Sequence, residues 1–210
     1  MTQPMSPARQ ETEALLSALP DPAQEELVAS LQHAERLLGD RTRPAWILRG
    51  HRPGDIGWVV SRHGALYAEE FGFNHRLEAM AAQVAGEFLA SHDPARERCW
   101  IAEAEGVRMG SVFLVRKTDD LAKLRLLLVE PAARGLGIGK ALVEACIAEA
   151  RAVGYRRMTL WTNDILTAAR GIYRAAGFRL VSSAPHTEFG PRMMGEDWEL
   201  DLDQGASSDA

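Results

Sequence analysis

The segment Arg134-Gly135-Leu136-Gly137-Ile138-Gly139-Lys140 lies between an apolar run, 124–129, and an amphipathic run, 141–153. This order predicts a strand, a glycine-rich turn and a helix. Such a turn points backbone N–H groups into open space at the helix N-terminus, where the helix dipole favours negative charge. Glycines at alternate positions remove side chains that would keep a phosphate away from those groups. The segment therefore predicts an anion site, and a pyrophosphate fits it best.

Spacing distinguishes three kinds of phosphate-binding turn. A GxxxxGK[ST] loop would need glycine at Arg134 and a hydroxyl residue at Ala141, so no magnesium-binding hydroxyl is offered. A GxGxxG dinucleotide fingerprint would need its third glycine at Lys140. The pattern that fits is [Gln/Arg]-x-x-Gly-x-[Gly/Ala], which Arg134, Gly137 and Gly139 satisfy.

This pattern resembles the acyl-coenzyme A pyrophosphate loop of the GCN5-related N-acetyltransferases, the GNAT family. About thirty residues downstream, the segment Ala169–Phe178 is similar to the family's A-x-x-[apolar]-Y-x-x-x-G-F signature. The predicted order of elements, β-α-α-β-β-β-α-β-α-β-β, resembles the family from about Trp46 to Asp201. The resemblance implies an α/β GNAT fold: a mixed, mostly antiparallel central sheet flanked by helices, with an N-terminal helical extension here.

Apolar periodicity supplies the individual elements. It predicts strands at 46–48, 98–103, 109–116, 124–129, 157–161, 178–182 and 196–202, and helices from residue 55, over 77–88, over 138–153 and over 168–176. The run at 124–129 is nearly all apolar, which is typical of a strand covered on both faces. Asp55 is predicted to cap the first of these helices, and a loop rich in Pro, Gly and Met is expected between the last two strands.

Bulk properties exclude several classes of protein. The chain has 210 residues, a net charge of -5 and a pI of about 5.7, which argues against a general nucleic-acid or anionic-membrane binder. No apolar run approaches the roughly 18 residues of a membrane span, and residues 1–10 have no apolar signal-peptide core. We therefore expect a cytoplasmic protein. Its two cysteines fit neither a disulfide framework nor a zinc motif, so no metal is expected.

We expect the chain to divide into an N-terminal helical extension, 1–44, with a disordered start, a domain at 45–203 that the resemblance identifies as an N-acetyltransferase, and a disordered tail, 204–210. Residues 11–39 are similar to the last helices of MarR-type regulators, which occur fused to acetyltransferases in some chains. Thirty residues leave no room for a recognition helix and wing, and acidic residues outnumber basic ones, so we expect no DNA binding. The apolar stripe Leu27, Leu31, Ala34 and Leu38 is instead expected to pack on the domain or to form a homodimer.

The resemblance implies how the coenzyme binds. The strand before the loop should separate from the next long strand, and the pantetheine arm should pair with the exposed backbone in the gap. An asparagine that many members carry is replaced here by Leu166, and Asn163 is the nearest alternative. The coenzyme-binding candidates are Leu127, Leu128, Val129, Arg134, Gly135, Leu136, Gly137, Ile138, Gly139, Lys140, Asn163 and Tyr173.

The same resemblance assigns the acid and leaves the base open. Tyr173 would protonate the departing thiolate, because a phenol with a pKa of about 10 keeps its proton at neutral pH. An alkyl ammonium must lose a proton before it attacks, and a carboxylate, directly or through water, is the usual solution in the family. The candidates for this base are Glu69, Glu70, Glu103 and Glu130.

The implied activity is transfer of an acetyl group from acetyl-CoA to a primary amine of a small molecule or peptide, in a ternary complex. Two alternatives are a non-catalytic acyl-CoA sensor and a transcription regulator acting through the N-terminal helices. No motif in the region of the expected acceptor cleft identifies the amine.

Overall fold

The computed structural model describes residues 45–203 without a gap, together with positions 19, 20, 23, 24, 27, 30 and 31. The chain divides into two compact units, Met1–Pro44 and Ala45–Ala210. In the first unit, positions 23, 24, 27, 30 and 31 are helical. Ala34, Leu38 and the expected disordered ends lie outside the described residues.

The second unit contains seven strands and four helices among its described residues. In chain order they are β1 (Ile47–Gly50), α1 (Asp55–Phe71), α2 (His75–Ser91), β2 (Arg98–Ala104), β3 (Val107–Arg116), β4 (Leu121–Val129), a 3-10 turn (Pro131–Ala133), α3 (Ile138–Ala152), β5 (Arg157–Asn163), α4 (Thr167–Ala175), β6 (Arg179–His186) and β7 (Met193–Asp201). This is the order predicted from the sequence. The last loop is shorter than expected, since β6 and β7 pair as far as His186 and Met193. β6 lies at the edge of the sheet, where a proline such as Pro185 is tolerated because an edge strand pairs on one side only.

The strands form one sheet in the order β1-β2-β3-β4-β5-β7-β6. Only β4 and β5 run parallel, so the predicted mixed, mostly antiparallel sheet is confirmed. Leu142 and Cys146 of α3 belong to one apolar core, and Val59 of α1 and Phe88 of α2 belong to another. Helices therefore flank the sheet.

Asp55 does not cap α1 in the predicted way. The helix begins at Asp55 itself, after Gly54 in a left-handed conformation, and no side chain caps it. The buried carboxylate instead accepts hydrogen bonds from Arg49 at 2.6 Å, from Arg108 at 2.7 Å and from the backbone N–H of Arg52 at 2.7 Å. Two arginines compete successfully for an anion that could otherwise have satisfied the helix N-terminus. This ion cluster ties β1 and β3 to the start of α1.

Strand β4 contains a bulge. Ser111 pairs with Leu128, yet Phe113 pairs with Arg125, so Val112 lies opposite two residues, Leu126 and Leu127. Leu126 has a φ of 48°, which is uncommon for a residue with a side chain. The buried hydroxyl of Ser111 donates to the Leu126 carbonyl at 3.1 Å and so supplies a donor where the ladder is interrupted.

This hydrogen bond gives a test of the bulge. We expect Ser111→Ala to lower the free energy of unfolding by about 1–3 kcal/mol, because a buried carbonyl would lose its donor. Ser182→Ala is the matched control, since Ser182 donates to Asp197 at 2.8 Å but is exposed. That change should stay within about 0.5 kcal/mol in urea unfolding. Equal losses in the two variants would show that the Ser111 bond has no special role at the bulge.

Candidate active site

The glycine-rich turn between β4 and α3 is the first part of the site. Gly135 and Gly137 have φ values of 79° and 83°, and helix α3 begins directly after them at Ile138. A Cβ added at either glycine would meet no atom within 4 Å, so the space above the turn is open. Gly139 is needed for another reason. A Cβ there would lie 2.9 Å from Ile172 Cδ1, so this glycine allows α3 and α4 to pack closely.

A cavity of about 550 Å³ follows this turn, and we name it the loop cavity. It runs from the end of β4 over the turn to α4, with Leu66 and Tyr67 of α1 on one side. The coenzyme-binding candidates that line it are Leu127, Leu128, Val129, Arg134, Gly135, Gly137, Ile138, Gly139 and Lys140. Leu136 does not line it and packs instead against the core beneath α3. Open backbone at a helix N-terminus makes the loop cavity suited to an anionic group.

Arg134 lies at the mouth of the loop cavity and is bound to an acidic side chain. Its Nη2 donates to both carboxylate oxygens of Glu70, at 2.7 and 2.9 Å. The arginine is half exposed, so the pair is open to solvent. Glu70, predicted as a possible base, therefore lies in the loop cavity and partly neutralises the cation at its mouth.

A second cavity of about 230 Å³ lies where β4 and β5 diverge, and we name it the sheet cavity. The parallel pairing of these strands stops at Lys123 and Thr159, which leaves the later part of β4 unpaired with β5. The separation expected from the sequence is therefore present. Tyr67, Leu127, Leu166 and Ala169 line both cavities, so the two spaces adjoin.

Tyr173 lines the sheet cavity from α4. The residue is 4% exposed, and its ring packs edge-on against Phe178 at 5.9 Å between centroids. Burial raises the pKa of the phenol well above its ordinary value, and nearby Tyr67 raises it further. The hydroxyl makes no hydrogen bond with any of the described residues. It is therefore a protonated donor facing a cavity.

Asn163 ends β5 and also lines the sheet cavity rather than the loop cavity. Its Oδ1 lies 2.7 Å from Nε2 of His186, and Nδ1 of that ring accepts from the backbone N–H of Glu188 at 3.3 Å. An amide oxygen can only accept, so the proton of a neutral imidazole lies on Nε2. The predicted asparagine is thus fixed by a ring on β6.

His63 and Tyr67 were not selected from the sequence, although both line the sheet cavity. His63 is buried, its Nδ1 lies 2.8 Å from the Val59 carbonyl, and burial lowers its pKa to about 4. Nδ1 must carry the proton to donate there, so Nε2 holds a lone pair. The ring stacks on Tyr67, whose pKa is raised to about 12 by burial and then by Glu70. A histidine on the apolar stripe of α1, seven residues after Ile56, was the available sequence signal.

The other predicted bases lie away from both cavities. Glu103 accepts from Arg49 at 2.7 Å and joins the Asp55 cluster. Glu130 accepts from Arg62 at 2.6 and 2.8 Å, and Glu69 is exposed on α1. None of these three residues lines either cavity. The structure thus groups Tyr173 with Asn163, and Glu70 with the turn.

Metal-binding and membrane-spanning features were sought among the described residues alone. No group of three His, Cys, Asp or Glu side chains there could hold a metal ion. Cys99 and Cys146 are both buried and free, and burial raises the pKa of each thiol. Within the same residues, no helix is long and apolar enough to cross a membrane.

Comparison with known proteins supplies the family. Residues 61–178 match the model of the Acetyltransferase (GNAT) family. N-acetyltransferase 8B of Homo sapiens is 38% identical over 85 residues, which are 38% of this chain and 37% of that protein. The uncharacterized N-acetyltransferase YjgM of Escherichia coli K12 is 31% identical over 88 residues, or 40% of this chain and 53% of that one. The chain thus spans only part of these curated relatives.

Solved structures share the fold at low identity. A putative acetyltransferase, yncA from Salmonella typhimurium, with acetyl-CoA, has a TM-score of 0.61 and 20% identity, covering 79% of this chain and 99% of that one. A phosphinothricin acetyltransferase from Sinorhizobium meliloti in complex with AcCoA has a TM-score of 0.62 and 19% identity, covering 78% and 92%. The family match begins at residue 61, so the resemblance of residues 11–39 to MarR-type regulators is not borne out.

Proposed function

This chain belongs to the GNAT family of acetyltransferases, and we propose that it transfers an acetyl group from acetyl-CoA to a primary amine by direct attack in a ternary complex. In this proposal residues 45–203 form the transferase domain. The observation that carries it is the junction of the two cavities at Leu127, beside the buried, protonated Tyr173. One cavity suits a long anionic cosubstrate and the other suits a small acceptor, so two molecules can meet there.

The loop cavity has the features that the coenzyme needs. Main-chain N–H groups of residues 135–140 would bind the pyrophosphate, since the positive φ values of Gly135 and Gly137 leave the space above them open. Arg134 would add charge at the mouth. The backbone of Leu127, Leu128 and Val129, on the side where it no longer pairs with β5, would hold the pantetheine arm as a sheet edge holds a peptide. Asn163 would contribute from the sheet cavity.

Tyr173 is proposed as the general acid. The amine nitrogen forms a bond to the thioester carbonyl carbon, and the carbon–sulfur bond breaks. The phenol proton moves from Tyr173 to the departing sulfur, and the proton that the nitrogen loses on becoming an amide returns through water to the Tyr173 oxygen. Its burial supports this role, because a raised pKa keeps the proton in place throughout the neutral range. A backbone N–H of Val129 would stabilise the developing oxyanion.

The base stays a prediction among Glu69, Glu70, Glu103 and Glu130, and the geometry adds one group to consider. His63 offers an unprotonated Nε2 in the sheet cavity, next to Tyr67. With a pKa near 4, this ring is a weak proton acceptor. We propose that it accepts a hydrogen bond from the neutral amine and so orients the nitrogen lone pair, while the proton that the ammonium loses passes to water.

Glu70 can be tested directly. We expect Glu70→Gln to lower the KM for acetyl-CoA about two- to fivefold, because Arg134 would lose its neutralising partner at an exposed position. The kcat should change less than about twofold. Glu149→Gln is the control, since Glu149 also pairs with an arginine, Arg98 at 2.8 Å, but lines neither cavity. A tenfold or larger loss of kcat in Glu70→Gln alone would instead assign the base to Glu70.

The activity itself is tested by measuring thiol release from acetyl-CoA with the full chain and a panel of amines, amino acids, aminoglycosides and lysine peptides. Amine-dependent release above the rate of hydrolysis supports the proposal. Binding of acetyl-CoA without release for any amine would favour a non-catalytic sensor. Salt-sensitive DNA binding without release would favour a regulator.

A further inference from the structure

Two cationic side chains line the sheet cavity without an ionic partner. Lys123 and Arg125 lie on β4, and both are only half-buried. Among the residues that the structure describes, the one side-chain contact of Arg125 that resembles a hydrogen bond is Nη2 to Met80 Sδ, at 3.6 Å. Within the described residues, neither cation forms an ion pair. Arginines elsewhere in the domain differ, because Arg62 and Arg170 are each bound to a carboxylate.

Partial burial makes the charged forms of Lys123 and Arg125 less favourable. Burial lowers the pKa of Arg125, and Glu87 opposes that effect only partly. Burial likewise lowers the pKa of Lys123, the neighbouring Arg125 and Lys117 lower it further, and Asp197 opposes these effects only partly. Partly buried charges without partners destabilise a fold unless something compensates for them. Glu188 also lines the cavity, but it is exposed and pairs with neither cation. An anionic ligand would supply the missing partner.

The position of Arg125 on β4, directly before the bulge, brings this charge close to the proposed reacting centre. Leu124 packs in the core beneath α3, whereas Arg125 contacts Met80 of α2 and Leu126 packs with α1 and α2. The bulge therefore turns two consecutive side chains to the same side of the sheet. Leu127, which lines both cavities, follows at once. Two residues of a strand span at most about 7 Å. A small molecule bound to Arg125 could therefore extend as far as Leu127, where the two cavities adjoin.

The remaining walls limit the size of the acceptor. Trp161, Phe189 and Leu77 line the sheet cavity, and Trp161 is held against Gly195, where an added Cβ would lie 2.8 Å from the ring. A volume of about 230 Å³ is smaller than most ligand pockets. It is large enough for a small molecule with a short apolar body.

We propose that the acceptor is a small amine with a carboxylate close to the amino group, of which a free amino acid is the simplest example, and that Arg125 and Lys123 bind this carboxylate. The inference rests on the proposed acetyl transfer and names the substrate class for it. Arginine suits this role because its planar guanidinium can donate two parallel hydrogen bonds to one carboxylate. The amine would then extend toward Leu127 and Tyr173.

The test compares matched acceptors with the full-length protein. Each apolar amino acid is paired with its amide and with the amine that lacks the carboxyl group, and thiol release is measured with each. We expect kcat/KM to be at least about tenfold higher for the acid than for either analogue, because a hydrogen bond to a charged group would be lost. The amide has the more easily deprotonated amine, so higher amine reactivity alone would favour the amide instead.

Variants then assign the effect to residues. Arg125→Gln should lower kcat/KM for the acid about 10- to 100-fold, mainly through KM, and leave the amide and acetyl-CoA affinity unchanged. Arg125→Lys should restore part of the loss. Arg179→Gln is the control, since Arg179 is exposed on the edge strand and lines neither cavity. If Arg125→Gln does not fold, the comparison of acid with amide in the unaltered protein still tests the inference.

The outcomes separate two failures. Equal or faster turnover of the amides, unaffected by Arg125→Gln, overturns the carboxylate inference and leaves acetyl transfer intact. Binding of acetyl-CoA with no release for any amine overturns the proposed activity, and the inference with it.

Discussion

A Gly137→Val variant is expected to lose the stabilisation that acetyl-CoA gives to the parent protein. Gly137 has a φ of 83° and precedes α3, with open space where a side chain would project. A β-branched side chain would strain the turn by about 1–2 kcal/mol and cover the proposed pyrophosphate position. At an acetyl-CoA concentration 100 times its dissociation constant, binding should stabilise the parent by about 2.7 kcal/mol. The rise in melting temperature that reports this stabilisation should vanish in the variant.

Gly154→Val is the matched control for this loss. Gly154 lies beyond the other end of α3 with a φ of 88°, and a Cβ there also meets no atom within 4 Å. The two substitutions should therefore lower the stability of the free protein by similar amounts, while only Gly137→Val abolishes coenzyme binding. Retained affinity in a folded Gly137→Val protein would show that the turn does not bind the pyrophosphate.

A Tyr173→Phe variant is expected to lose about ten- to a thousandfold in kcat with little change in acetyl-CoA affinity. The substitution keeps the ring against Phe178 and removes the proton that the proposed mechanism delivers to the leaving sulfur. A loss in kcat alone indicates a contact made in the transition state. The rate should be measured where chemistry limits turnover, because slow product release would hide the effect.

Tyr155→Phe separates catalysis from packing. Tyr155 is buried at 3% exposure, and its hydroxyl donates to the Arg96 carbonyl at 3.3 Å, away from both cavities. This variant should be slightly destabilised and fully active. If Tyr173→Phe shows the same pattern as Tyr155→Phe, Tyr173 is a core residue and another group protonates the sulfur.

The turn and the order of elements could be predicted because they depend on local chemistry. Positive φ at Gly135 and Gly137 favours glycine, and the apolar periods around them specify a strand and a helix. The family signature around Tyr173 is also contiguous. These features lie within a few residues of one another, so one sequence is enough to detect them.

The acceptor side could not be predicted in the same way. Residues 124–129 were expected to be covered on both faces, yet β4 alternates buried and half-buried residues, and Arg125 faces a cavity. The cause is the early end of the β4–β5 pairing at Lys123, which opens a cavity beside β4. That ending depends on both strands, so no local pattern within β4 indicates it. His63 and Asn163 likewise gain their positions from α1 and from a ring on β6. Such relations between distant elements leave little trace in local spacing.

The early end of the β4–β5 pairing also bears on aggregation. An unpaired strand edge is a template on which another chain can add, and proteins usually protect such edges. Here the edge opens inside the sheet. The opening between β4 and β5 begins where their pairing stops, at Lys123, and Tyr67 of α1 and Ala169 of α4 line its sides. Because β4 and β5 are inner strands and two helices line the opening, the free backbone lies within a cavity and not along an outer edge of the sheet. The fold can therefore keep backbone groups free for a ligand without offering them to other proteins.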